Sequence, residues 1–73
     1  MIENEEIAAK ISDLMIEYYK KISESITLVK ENCPPEEFKS YRLASAKVLA
    51  PMILEVMDPL YAKHPHLKPT ALR

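Results

Sequence analysis

Apolar side chains recur at gaps of three and four residues along the first part of the chain, the spacing of one face of an α-helix. Residues 1–33 contain neither proline nor glycine, so nothing in them interrupts a helix. Asn4 can act as an N-cap, and Glu5 and Glu6 follow where the helix dipole favours negative charge. The pattern predicts a helix from about residue 5 to about 31, with a buried stripe made of Ile7, Ala8, Ile11, Leu14, Met15, Tyr18, Ile22, Ile26 and Val29.

A second helical pattern follows a double proline. The residue before a proline avoids the α-helical region, so Cys33-Pro34-Pro35 predicts a sharp connection. Pro35 suits the first turn of the next helix, which we expect over residues 35–57. Pro51 lies inside it and predicts a kink at residues 47–51, with a break into two helices as the alternative. The apolar stripe of this second helix consists of Phe38, Tyr41, Ser45, Val48, Leu49, Met52, Ile53, Val56 and Leu60.

The C-terminal part is less regular. Asp58-Pro59 combines an N-cap residue with a proline, which predicts a short helix over residues 59–64. Residues 65–73 carry two prolines and no helical periodicity, so we expect an extended arm there.

These elements predict an all-α fold, an antiparallel helical hairpin with a kinked second helix and a short C-terminal helix or arm. Both stripes are wider than the contact that one neighbouring helix can cover. We therefore expect a symmetric homodimer in which two hairpins form a four-helix bundle. The competing structure is a monomer whose tail folds over a three-helix core.

Length and composition limit the possible functions. The chain has 73 residues, 48% of them hydrophobic, which fits one small domain. It contains no glycine, so loops that cradle phosphate, dinucleotide-binding turns and nucleophile elbows are excluded. Its apolar runs are too short to span a bilayer, and a single cysteine excludes an internal disulfide. The acidic start, Met1 to Glu6, is unlike a secretory signal. We therefore expect a cytoplasmic protein with no membrane partner.

The candidate metal ligands are the histidines of His64-Pro65-His66. An extended chain would point His64 and His66 the same way, and Glu55 or Asp58 could add a third ligand. This spacing matches no known metal motif, so we expect no cofactor and keep the two histidines as weak candidates only. Cys33 precedes a helix but has no partner base nearby in sequence, which favours packing over catalysis.

Charge is divided unevenly between the two halves. Residues 1–33 hold seven acidic and four basic side chains, whereas residues 34–73 hold four acidic and six basic ones. The chain as a whole has a net charge of −1, which does not suggest a nucleic-acid partner. The asymmetry instead suits hairpins that pack against one another with acidic and basic helices in contact.

Four residues are candidates for contact with a protein partner that the sequence does not identify. Tyr18 fits the buried stripe, whereas Tyr19, Tyr41 and Tyr61 lie at the borders, where an aromatic side chain with a polar tip suits an interface. Leu67 is an apolar anchor on the arm.

No motif identifies a family. The sequence therefore predicts a non-enzymatic interaction or regulatory module acting as a homodimer. The alternative is a ligand- or metal-binding helical bundle that uses His64, His66 and the nearby carboxylates.

Overall fold

A computed structural model describes residues 1–69 of the chain, and over that range it is all helical. Helix α1 spans Glu5–Asn32. The Asn4 side chain caps it by accepting a hydrogen bond from the Ile7 N–H at 3.1 Å, as the sequence predicts. A helix of this length measures about 42 Å at 1.5 Å per residue, and the molecule is 45 Å along its longest axis.

Two residues, Cys33 and Pro34, connect α1 to the next helix, which is the sharp connection that the double proline predicts. Cys33 ends α1 in an extended conformation, and its N–H still donates to the Val29 carbonyl. Helix α2 spans Pro35–Pro51 and packs antiparallel to α1. At this end of the hairpin, Lys30 and Arg42 lie over the Phe38 ring at 5.9 and 5.8 Å. This pair of cation–π contacts closes the loop end of the hairpin.

Pro51 does not break the helical path. Pro51 and Met52 both have right-handed helical backbone angles, and a π-helical segment, Met52–Met57, follows directly. Within it the Asp58 N–H donates to the Ile53 carbonyl five residues back. The distortion found is a widened turn after the proline, at residues 52–57, whereas the sequence predicts a kink at residues 47–51. Pro51 and Pro59 both lack the N–H that α-helical bonding needs, which favours the widened turn between them.

Helix α3, Asp58–Lys63, continues from the π-helical segment. The predicted N-cap at Asp58 is not formed, because Asp58 itself has helical backbone angles and its side chain makes no capping bond. Residues Pro65–Leu67 form a single 3₁₀ turn where an extended arm was expected. Lys68, which follows this turn, has an extended backbone. The last part of the predicted arm, residues 70–73, lies outside the described residues.

The core sits at the end of the hairpin away from the loop. Its buried apolar side chains are Ala8 on α1, Met57 at the end of the π-helical segment, and Leu60 and Tyr61 on α3. Ala8 is small enough for the C-terminal elements to approach α1 closely. The half-buried residues packed around this core are Ile2, Ile11, Met15, Ile16, Met52, Ile53 and Leu67.

Five residues of the predicted stripes are exposed in the structure, namely Ile7, Leu14, Tyr18, Tyr41 and Val48, and burial also differs from the prediction at Val56 and Met57. Met57, beside the predicted stripe, is fully buried, whereas Val56 within the stripe is half-buried, because the widened turn changes the direction of the side chains that follow it. Tyr18 is 50% exposed and Val48 58% exposed, although both were expected inside. Tyr19 is half-buried. Within residues 1–69, none of the helices combines the length and the apolar character that crossing a membrane requires.

Candidate functional site

The His-Pro-His segment holds the two ends of the described chain together. His64 is only 7% exposed, and its Nε2 lies 2.6 Å from the Ile2 carbonyl oxygen. Because a carbonyl can only accept, the imidazole Nε2–H donates this bond, which fixes the ring orientation and the tautomer. The contact joins residues far apart in sequence. It fastens the segment before α1 to the end of α3.

An exposed ion pair and an exposed hydrogen bond lie beside this contact. Lys63 Nζ lies 3.3 Å from Glu3 Oε1, and His66 Nε2–H donates to Glu5 Oε1. Both pairs are solvent-accessible, so each contributes little stability on its own. We call His64, His66 and Lys63, with their partners Ile2, Glu5 and Glu3, the terminal clasp.

In the terminal clasp both histidines make hydrogen bonds that hold distant segments of the chain together. His64 and His66 face each other edge-on with ring centroids 6.2 Å apart. Within residues 1–69, no three His, Cys, Asp or Glu side chains come together as a metal site. With the His64 Nε2–H bonded to Ile2, a metal would have to use its Nδ1. Glu55, one of the two carboxylates that the sequence offers as a third metal ligand, is exposed.

Tyr61 lies in the core, although the sequence placed it at a border and among the candidates for partner contact. It is 6% exposed, and its hydroxyl lies 2.6 Å from the Ser12 Oγ in a buried hydrogen bond. Ser12 was missed by sequence reasoning because a serine on α1 reads as part of a polar face. The available signal was its spacing of four from Ala8, which puts two small side chains on one side of the helix.

A surface hollow adjoins Tyr61. It has a volume of about 550 Å³, and its lining includes Asp58, Ala62, Pro65 and Lys68. A smaller cavity of about 190 Å³ shares Asp58, Tyr61 and Lys68 and reaches Met57. The lining of the two hollows thus combines a carboxylate, an ammonium group and apolar side chains. The Tyr61 hydroxyl is already engaged by Ser12.

Cys33 lies at the opposite end of the hairpin from the clasp. It is half-buried at the turn between α1 and α2. The candidate nucleophile and the two histidines therefore lie at different ends of the molecule and do not form a catalytic pair. The arrangement agrees with a packing role at the hairpin corner.

One face of the hairpin is apolar and is not covered by other parts of residues 1–69. The Ser25 Oγ and the Tyr41 hydroxyl are 2.7 Å apart, which shows that the two side chains lie on the same face of the antiparallel pair. Seven residues return a helical side chain to within about 20° of the same direction. Tyr18, seven residues before Ser25, and Val48, seven after Tyr41, therefore share this face at the same level.

We call this surface the open apolar face. Leu14 and Ile7 extend it along α1, because they lie four and eleven residues before Tyr18. Its members are substantially exposed, namely Ile7 at 43%, Leu14 at 40%, Tyr18 at 50%, Tyr41 at 37% and Val48 at 58%. A single soluble domain rarely leaves so many large apolar side chains together in water.

The other predicted contact residues are placed less openly. Tyr19 and Leu67 are half-buried, and Leu67 packs against the core. Tyr41 is on the open apolar face with its hydroxyl bonded to Ser25.

Leu28, Leu43 and Leu54 are each more than half exposed. Leu43 lies five residues before Val48, about 140° around α2, and so faces away from the open apolar face.

Fold and surface together define a small helical hairpin with a clasped terminal end and one uncovered apolar face. Comparisons with protein-family models, curated proteins and solved structures each find nothing that matches this chain. Its function must therefore be argued from its own residues.

Proposed function

We propose that this chain is a non-enzymatic helical interaction or regulatory module that works as a homodimer. In this assembly two hairpins form a four-helix bundle. The observation that supports the proposal is the open apolar face, which runs along both helices of the hairpin and which the described part of the chain leaves exposed. Burying large apolar side chains is the main driving force for stable association of proteins.

The small core also supports association. Among residues 1–69, four apolar side chains are buried, and all of them lie at the terminal end of the hairpin. The loop-side half of α1 and α2 is held by the Ser25–Tyr41 hydrogen bond, the contacts at Phe38 and half-buried residues. A domain of this length has little stability to spare. A second copy packed on the open apolar face would stabilise the half of the hairpin that has the weaker core.

The non-enzymatic part of the proposal rests on where the reactive side chains lie. Cys33 is at the loop, and the histidines are used in the terminal clasp. We place the protein in the cytoplasm, a setting that suits a chain whose single cysteine cannot form an internal disulfide.

The proposal is tested by the mass of the protein in solution, measured by light scattering during size exclusion at micromolar concentration. A dimer has twice the chain mass of 8.4 kDa. A monodisperse monomer across the accessible concentration range would refute the homodimer. Elemental analysis of the same peak, from protein purified without chelators, addresses the alternative. A stoichiometric metal that is lost in a His64→Ala/His66→Ala variant would favour metal binding.

The second candidate function is the binding of a small ligand, and the hollow beside Tyr61 favours it. Asp58 and Lys68 bring opposite charges to a lining that also includes Met57 and Tyr61. This arrangement suits a small zwitterionic or amphiphilic molecule. Native mass spectrometry of the freshly purified protein should then detect a bound small molecule. The same measurement on Asp58→Asn should show it reduced, whereas a ligand-free spectrum of the wild-type protein would count against this candidate.

A further inference from the structure

We infer that the second copy docks on the open apolar face with its α2 against α1 of the first copy, so that both Cys33 loops lie at the same end of the bundle. This inference rests on the proposed homodimer. It specifies the interface and the orientation of the partner, which the proposed function leaves open.

Two symmetric arrangements can cover this face. If the two-fold axis runs parallel to the helices, α1 of each copy packs on α2 of the other copy, and the loops share one end. If the axis runs across the helices, α1 packs on α1 and α2 on α2, and the loops lie at opposite ends. Both arrangements bury the same apolar side chains and both are closed dimers. The apolar contacts alone therefore do not choose between them.

The distribution of charge favours α1 against α2. Helix α1 carries six acidic and four basic side chains, whereas α2 carries two acidic and three basic ones. Pairing α1 with α1 would bring two acidic helices together across a largely apolar contact. Pairing each α1 with the α2 of the other copy brings opposite net charges together, which lowers the electrostatic energy of the interface.

Two charged residues at the rim of the open apolar face, Glu17 and Lys47, favour the packing of α1 on α2 of the other copy. Glu17 precedes Tyr18 and Lys47 precedes Val48, so each lies about 100° further around its helix. In both helices this rotation leads to the edge of the face that is remote from the other helix of the same hairpin. With a parallel axis, Lys47 of one copy therefore lies beside the Glu17–Lys21 pair of the other, about two residues in level from each of its members. The dimer repeats this contact on both edges.

The contacts already made within one chain are compatible with this pairing. Glu17 Oε1 lies 3.1 Å from Lys21 Nζ in an exposed pair on α1. A carboxylate has lone pairs for more than one cationic partner, so Lys47 from the other copy can join this pair without breaking it. Lys47 is exposed, so its ammonium group is accessible to a second copy.

The single cysteine of the chain permits a direct test of the orientation. A spin label on Cys33 of each copy reports the distance between the two loops by pulsed electron spin resonance. Helices in bundles lie 8–10 Å apart, so loops at one end give a distance below about 30 Å including the labels. Loops at opposite ends are separated by about the 45 Å length of the molecule. Because Cys33 is half-buried, a Cys33→Ser/Asn32→Cys variant moves the label to an exposed position.

A charge reversal gives an independent test. Lys47→Glu alone should raise the dimer dissociation constant by roughly three- to tenfold at low salt, because two symmetry-related pairs become repulsive. Adding Glu17→Lys should restore most of the affinity. A dimer with a long distance between the labels, or one in which the second reversal gives no rescue, would overturn the inferred orientation and leave the homodimer standing. A monomeric protein would overturn both.

Discussion

The hydroxyl groups of Ser12 and Tyr61 lie 2.6 Å apart in the core, and they join α1 to α3 across a sequence separation of 49 residues. Both residues are almost fully buried, so each hydroxyl depends on the other for a partner. The bond fixes the position of α3 against the first helix. It also fixes the position of Tyr61 beside the surface hollow.

We expect Tyr61→Phe and Ser12→Ala each to lower the free energy of unfolding by about 1–3 kcal/mol, because each leaves a buried hydroxyl without its partner. The double variant should lose less than the sum of the two, since it removes both polar groups. Urea unfolding of the wild-type protein and the three variants measures this coupling. Strictly additive losses would show that the two hydroxyls do not interact.

The two histidines of the terminal clasp should behave differently when replaced. His64→Ala removes a buried ring and its hydrogen bond to the Ile2 carbonyl, so we expect a loss of about 2–3 kcal/mol. His66→Ala removes an exposed pair with Glu5 and should cost less than about 1 kcal/mol. Thermal or urea unfolding of the two variants under identical conditions tests this difference. Equal losses would contradict the distinct burial of the two rings.

The open apolar face predicts a position-specific effect on the dimer. Val48→Lys places a charge in the centre of the proposed interface, and we expect it to raise the dimer dissociation constant by at least tenfold, about 1.4 kcal/mol. Leu43→Lys is the matched control, because Leu43 is as exposed on the same helix but faces away. Sedimentation equilibrium of both variants measures the effect. Dissociation of the Leu43→Lys dimer alone would move the interface to the other side of α2.

Leu67 is expected to act within its own chain. It is half-buried against the core, so Leu67→Ala should lower the free energy of unfolding by about 1–2 kcal/mol. The dimer dissociation constant should stay within about twofold of the wild-type value, because Leu67 does not belong to the open apolar face. A variant of wild-type stability that no longer dimerises would return Leu67 to the role that the sequence predicts, contact with a partner.

Local sequence signals predicted most of the helical framework. The N-cap at Asn4, the double proline at residues 34 and 35, and the three- and four-residue periodicity led to two long antiparallel helices with correct ends at the turn. Each of these features involves residues only a few positions apart in the sequence. Residue type and spacing alone are therefore enough to recognise them.

The details of burial were not predictable in the same way. The periodicity of α1 allows a stripe centred on Tyr18 or on Tyr19, and the sequence favoured Tyr18. The structure exposes Tyr18 because α3 and the π-helical segment pack on the side of Ala8 and Ser12. The widened turn after Pro51 buries Met57, and so the second stripe changes direction partway along. A prediction that assumes 3.6 residues per turn throughout the second helix cannot include this change of direction.

The sequence by itself determined that the chain forms an all-helical hairpin, because helix formation and helix ends depend on interactions between near neighbours. Only the tertiary structure decided that His64 is bonded to the Ile2 carbonyl, that Tyr61 is bonded to Ser12, and that Val48 is exposed. Each of these facts depends on which surfaces meet when distant segments pack. That choice is made by the fit of the whole chain, because side chains from α1, the π-helical segment and α3 compete for one small core.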